Sequence, residues 1–121
     1  VEHLDVEDLL RLTRVLGAGP VRDLGLLDAA ANRPRARAFG EDAYPSTETM
    51  AAALLHSVVS SHPLVDGDRR LGWLACVVLL DLDGLRPDLD DEEAFQLVMG
   101  VAAGRLDDVV AIADALRCVK V

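Results

Sequence analysis

Hydrophobic residues recur along most of this chain at helical spacing, and the polar residues between them mark where each helix begins and ends. Residues 4 to 16, "LDVEDLLRLTRVL", place Leu4, Val6, Leu9, Leu10, Leu12, Val15 and Leu16 on a broad apolar face, with acids early, near the positive end of the helix they predict. "GAGP" at 17 to 20 stops that helix, since glycine accepts a left-handed backbone and proline cannot continue the ladder. "LGLLDAAANRP" predicts a second, short helix ending before Pro34. Residues 33 to 46, "RPRARAFGEDAYPS", read as an irregular excursion. A third helix then follows over "TETMAAALLHSVVSS", capped by Ser46 or Thr47.

The run "LGWLACVVLLDLDG" is apolar nearly all round, so its helix belongs at the centre of the fold. A strand over "CVVLLDL" is the alternative there, but no turn signal separates that run from the Leu- and Ala-rich pattern before it. Beyond the loop "GLRPDLDD", Asp90 and Glu93 resemble a capping box, with Asp in the place of the usual hydroxyl residue. It would open a helix over "EEAFQLVMGVAAG", with Gly104 as its end, and "LDDVVAIADALR" predicts the last helix. The expectation is an all-α single domain over residues 1–121, a compact bundle of about six helices with no confident strand.

Composition narrows this picture. Aromatic residues make up only 3% of the chain, so Leu, Val and Ala must build the core. A formal net charge of −9 argues against direct binding to nucleic acid or to an anionic membrane surface, since both reward a basic face. No run has the length of a membrane span and no leader pattern opens the sequence, which sets the expectation of a soluble, cytoplasmic protein. Cys76 and Cys118 fit neither a CxxC pair nor a dense disulfide framework, and Cys76 reads as a small core residue.

One stretch does not suit a core. "SHPLVDGDRR", residues 61 to 70, sets a histidine, two aspartates and two arginines between two apolar helices. His62 falls at the carboxyl end of one helix, and Asp68, Arg69 and Arg70 fall where the next begins. A helix amino end offers unpaired N–H groups and about half a positive charge, which makes it an anion site. Two arginines there are unfavourable unless an anion such as phosphate joins them. Asp66 is then placed to hold a magnesium ion, Gly67 to let the backbone approach the phosphates, and His62 to take a proton from an attacking hydroxyl. Simpler readings stand beside this one. Asp68 is a good N-cap, "VDGD" is an ordinary turn composition, and a histidine at a helix end also serves as a dipole partner. His56, six residues before His62 and so on another face, has no second ligand at metal spacing and reads as structural.

"HPLVDGDRR" resembles the signature of the Fic/Doc superfamily, His-Pro-Phe-x-Asp/Glu-Gly-Asn followed by Gly-Arg or Lys-Arg. The Arg69–Arg70 ending, without an inserted Gly, is similar to the Doc (death-on-curing) branch. "GPVRDLGLLDAAANRPRARAFGEDAYPS" and "LVMGVAAGRLDDVVAIADALR" resemble the Doc segments on either side, so the likeness spans roughly residues 4 to 117. The resemblance implies a Fic-type helical fold and a toxin of a type II toxin–antitoxin module, held by a Phd-type antitoxin whose disordered tail folds into a groove. It implies a protein kinase that moves the γ-phosphate of ATP to a threonine of elongation factor Tu and so inhibits translation. The alternatives are an AMP transferase of the Fic type, disfavoured because Trp73 stands where the later motif Arg would be, and a catalytically inactive remnant that binds its antitoxin.

Carried over position by position, His62 matches the catalytic base and Asp66 the Mg²⁺-binding acid. Gly67 and the backbone near Asp68 match the anion-binding turn, and Arg69 and Arg70 match the phosphate contacts. Leu64 replaces the motif Phe, Arg69 the Lys, and Asp68 the Asn. The last change adds negative charge where phosphate must bind. At about 4 Å and an effective dielectric near 20 the repulsion is on the order of 4 kcal/mol, roughly a thousandfold in rate if felt in the transition state. An attenuated enzyme is therefore expected. In the excursion at 35 to 46, Phe39 and Tyr44 are expected to anchor the loop to the core rather than to meet a target.

Overall fold

The computed structural model describes residues 3–121. Helix α1 (Val6–Leu16) starts later than the apolar pattern suggests, because Asp5 caps it: its carboxylate accepts from the Asp8 N–H while the Asp8 side chain accepts from the Asp5 N–H. Gly17, at φ 63°, closes it. Helix α2 (Leu24–Asn32) is capped by Asp23 and runs into a single 3₁₀ turn at Arg33–Arg35, so the regular helix does end before Pro34. Ser46 is the cap of α3 (Thr47–Ser61), paired with Thr49 in a capping box. Helix α4 (Asp68–Leu82) follows the polar loop. The Asp90–Glu93 box opens α5 (Asp91–Ala102), and Asp108 caps α6 (Val109–Leu116).

The structure adds four strands of two residues each that the sequence does not announce. β1 (Arg37–Ala38) pairs with β2 (Glu41–Asp42) in a hairpin inside the excursion, and β3 (Leu85–Arg86) pairs with β4 (Val119–Lys120) near the end of the chain. Two-residue ladders are too short to carry an alternating pattern, which is why no such signal exists. The strand alternative over 76 to 82 is excluded, since all of it lies in α4.

Helices α3 and α4 form the most extensively packed pair and make the centre of the molecule. No residue of α4 between Leu71 and Leu80 is exposed, as an all-round apolar helix requires. Small residues let the two axes approach: Ala51, Ala52 and Ala53 are fully buried on α3, and a Cβ on Gly72 of α4 would stand 2.9 Å from Val59 Cγ2. At the far end of the pair Thr47 Oγ1 donates to Asp83 Oδ2 at 2.6 Å. Leu9 from α1, Leu27 from α2 and Ile112 and Leu116 from α6 complete a core of mainly Leu, Val and Ala. No helix is long and apolar enough to cross a membrane among the described residues.

Cys76 is fully buried in α4, as expected, and burial pushes its thiol well up from the ordinary range. Cys118 is half-buried, and burial followed by the charge of Glu48 raises it too. With both thiols held in the unreactive form, a disulfide reagent is expected to label native protein slowly and at Cys118 alone. Cys76 should react only after denaturation, as peptide mapping would record.

Candidate active site

The polar stretch becomes a tight loop between α3 and α4. His62 is the C-cap of α3, in the left-handed region at φ 54° and ψ 59°, and the turn carries its side chain to the surface. Pro63 and Leu64 then dip back into the core, and Leu64 is 2% exposed despite being shorter than the motif Phe. Gly67, at φ 99°, turns the chain into α4. Glycine is required there on two counts: the backbone is left-handed, and a Cβ would lie 2.5 Å from Ala18 Cβ.

A segment that the sequence presented only as a helix stop holds this loop in place. Gly19 N–H donates to Asp66 O at 2.8 Å, and Val65 N–H donates to Pro20 O at 2.9 Å. Arg22 and Asp23 N–H both donate to Pro63 O, at 2.7 and 3.1 Å, and Val21 and Leu64 form an antiparallel bridge. The Arg22 side chain adds two more bonds, from Nε to His62 O at 2.8 Å and from Nη2 to Ser61 O at 3.1 Å. Arginine near the carboxyl end of a helix satisfies carbonyls that the ladder leaves open. Arg22 thus fixes the backbone of His62 from a position forty residues earlier in sequence. Its cue was a basic residue beside a Pro/Gly turn, which is far too common to single out.

The loop faces a cleft of about 820 Å³ between the start of α4 and the side of α5. His62, Asp66, Gly67, Asp68, Arg69 and Arg70 line it together with Trp73, Phe95, Val98 and Met99. All six motif residues singled out in the sequence are therefore brought together. Arg69 Nη1 donates to Met99 Sδ at 3.4 Å, and among the described residues its guanidinium has no carboxylate at ion-pair distance. Arg70 donates to Leu16 O and lies 3.6 Å from Asp66, whose carboxylate is largely exposed.

Asp68 does not do what was expected of it. Gly67 is the N-cap of α4, and Asp68 is the first residue inside the helix, with no side chain capping the helix amino end. The Asp68 carboxylate turns back over the loop instead, where Oδ1 accepts from Leu64 N–H at 2.9 Å. Its Oδ2 lies 3.5 Å from His62 Nδ1, and the side chain is only 13% exposed. The left-handed Gly67 is the reason: it swings the Leu64 N–H beneath the first turn, within reach of the next side chain. Asp68 thus lies at the cleft with its charge directed mostly into the loop.

The chain matches the model of the Fic/DOC family over residues 3–80, which covers the loop and the segment that supports it. The chain belongs to the Fic/Doc family. It is also 44% identical over 110 residues to toxin Doc of Mycolicibacterium smegmatis, an alignment that covers 88% of this chain and 85% of that protein. The helical Fic/Doc fold and the likeness to Doc expected from the motif are both observed.

Other residues of this Fic/Doc chain settle into structural roles. His56 receives Arg33 Nη1 at Nδ1, 2.6 Å away, and meets Asp107 Oδ1 through Nε2 at 2.7 Å, so it ties three segments together as a structural residue. Among the described residues no group of three or more His, Cys, Asp and Glu could hold a metal. Tyr44 anchors the excursion as expected, half-buried under Arg33, whose Nε donates to its hydroxyl. Phe39 does not. It is fully exposed at the tip of the β1–β2 hairpin, with φ 54°.

Replacing Gly67 with Ala combines a strained backbone with a clash against Ala18, whose Cβ belongs to a stretch pinned by the loop itself. The expected cost is about 1–3 kcal/mol in unfolding free energy, measured by denaturant titration. An unchanged midpoint would show that the turn relaxes freely.

Proposed function

We propose that this chain is the toxin of a type II toxin–antitoxin module and works as a Doc-type protein kinase, moving the γ-phosphate of ATP to a threonine hydroxyl of elongation factor Tu. The observation that carries this reading is the convergence of His62, Asp66, Arg69 and Arg70 at the uncapped amino end of α4, in a cleft large enough for a nucleotide. Kinship with toxin Doc supports the toxin role, with a Phd-type antitoxin as partner and the cytoplasm as the place of action.

The chemistry asks little of the protein beyond position and charge. The first-turn N–H groups of α4 and the Arg69 and Arg70 guanidinium groups bind the phosphates and spread the charge that develops on transfer. His62 accepts the proton of the threonine hydroxyl as its oxygen bonds to the γ-phosphorus and the bond to ADP breaks. A magnesium ion suits the residues present, since Mg²⁺ uses one or two carboxylates together with substrate phosphates and water, and exposed Asp66 offers one carboxylate beside the helix end. When bound, the ion neutralises phosphate charge. Asp66 would be the residue that holds it, beside the Arg70 guanidinium 3.6 Å away.

An AMP transferase is the second reading on the same scaffold. Trp73 disfavours it, because an apolar ring lines the cleft at the place of the later motif Arg. Incubation of the protein with elongation factor Tu, ATP and Mg²⁺ is expected to add one phosphate to a threonine, read by mass spectrometry. His62→Ala should lower the rate about 10²- to 10⁴-fold. Gain of AMP would select the second reading. No modification, together with tight antitoxin binding, would leave an antitoxin-binding remnant.

The negative charge of Asp68 weakens the hold on the phosphates and makes this chain an attenuated enzyme. Because the carboxylate is turned inward and bonded to Leu64 N–H, the penalty falls below the full repulsion of an open pair. Asp68→Asn is expected to tighten ATP binding about tenfold by calorimetry. Equal affinities would show that the charge is not felt at the nucleotide.

A further inference from the structure

The bonds from Arg22 to the end of α3 bear on catalysis as well as on the fold, given the reading of His62 as a base. We infer that Arg22 is a positioning residue for the transfer step: its guanidinium holds His62 in the left-handed conformation that places the imidazole at the cleft.

The last turn of α3 does not close itself. Every other α-helix ends with the N–H of its cap residue bonded to a carbonyl of its own last turn, and α3 does not. The amides that follow are missing or used elsewhere. Pro63 has no N–H, Leu64 N–H donates to Asp68 Oδ1 at 2.9 Å, and Val65 N–H donates to Pro20 O at 2.9 Å. Among the described residues that leaves Arg22 as the donor to both Ser61 O, at 3.1 Å, and His62 O, at 2.8 Å. Proline also disfavours the right-handed conformation for the residue before it, so a His62 that nothing held would go extended. It stands instead at φ 54° and ψ 59°, a region that a residue with a Cβ keeps only where its surroundings enforce it.

The imidazole has no hold of its own. The His62 side chain is 65% exposed and makes no hydrogen bond among the described residues, and the nearest carboxylate oxygen, Oδ2 of Asp68, stands 3.5 Å away, outside hydrogen-bond range. Where the ring lies is therefore set by the His62 backbone, and the His62 carbonyl is set by Arg22. Arg22 is itself exposed and forms no ion pair among the described residues, so no carboxylate competes for its guanidinium. The phosphate contacts do not depend on it. Arg69, Arg70 and the amino end of α4 lie beyond Gly67, and the loop from Pro63 onward is tied by main-chain bonds that a change of side chain leaves in place. Loss of the Arg22 fork thus displaces the base and spares the anion site. A displacement of about 1 Å from the productive geometry costs about 10²-fold in rate.

The test sets wild type beside Arg22→Met, which keeps the length of the side chain without its donors, and Arg22→Lys, which keeps the charge without the planar fork. Backbone NMR reads the conformation of His62 from its Cα shift and its HN–Hα coupling, with neither ATP nor a target present. Wild type is expected to show the left-handed values and Arg22→Met to move towards extended ones. In the transfer assay Arg22→Met is expected to lower kcat about 10²-fold with the KM for ATP unchanged, and Arg22→Lys to recover part of the loss. Denaturant titration establishes that each variant is folded under the assay conditions, where a merely structural role would leave kcat at the wild-type value. Should Arg22→Met not fold, Arg22→Gln, too short to span both carbonyls, takes its place. An extended His62 in wild type, a left-handed His62 that survives loss of the fork, or an unchanged kcat overturns the inference. A wild-type protein that shows the left-handed histidine and transfers no phosphate ends the kinase reading instead, and the backbone comparison then decides for Arg22.

Discussion

The whole site depends on one set of backbone bonds, those between residues 19–23 and the loop from His62 to Asp66. A loop between two buried helices carries peptide groups that water cannot reach freely, and leaving them unpaired would cost as much as the hydrogen bonds they lack. The segment after α1 pairs them as a strand would, although only Val21 and Leu64 form a formal bridge. Pro63 and Leu64 can therefore be buried while their neighbours His62 and Asp66 stay at the surface. Without that pairing the loop would have no reason to hold a left-handed histidine and a left-handed glycine within six residues.

Electrostatics follow from this placement. The chain carries a formal charge of −9, yet two arginines stand at the positive end of α4, where the helix itself discourages them. Every other α-helix has an Asp or Ser side chain at its amino end. At α4 the carboxylate that would normally cap is drawn into the loop, so the positive end stays open towards the cleft. A general excess of acid elsewhere leaves this the place best suited to an anion.

Much of the fold was legible because it rests on local rules. The spacing of apolar residues located all six helices, and the Ser46 cap and the Asp90–Glu93 box marked the starts of two of them closely. The apolar "LGWLACVVLLDLDG" placed α4 at the centre, where it lies. Asp68 went wrong because N-cap propensity is an average over helix starts, and a left-handed Gly67 moved the cap by one residue. Phe39 went wrong for a similar reason. A large apolar side chain is normally drawn inward, but here it sits at a hairpin tip that has no core beneath it.

By itself the sequence determined the helices, their buried faces, and the gathering of His62, Asp66, Gly67, Arg69 and Arg70 into one short loop, because each of these depends on neighbours within a few positions. Only the tertiary structure decided that Arg22 reaches the carbonyl of His62, that residues 19–23 satisfy the loop, and that Asp68 faces an imidazole rather than its own helix. Those contacts join residues that are remote along the chain or depend on the hand of one glycine. No periodic pattern records such relations, since they come into being only when the packed core sets the segments side by side.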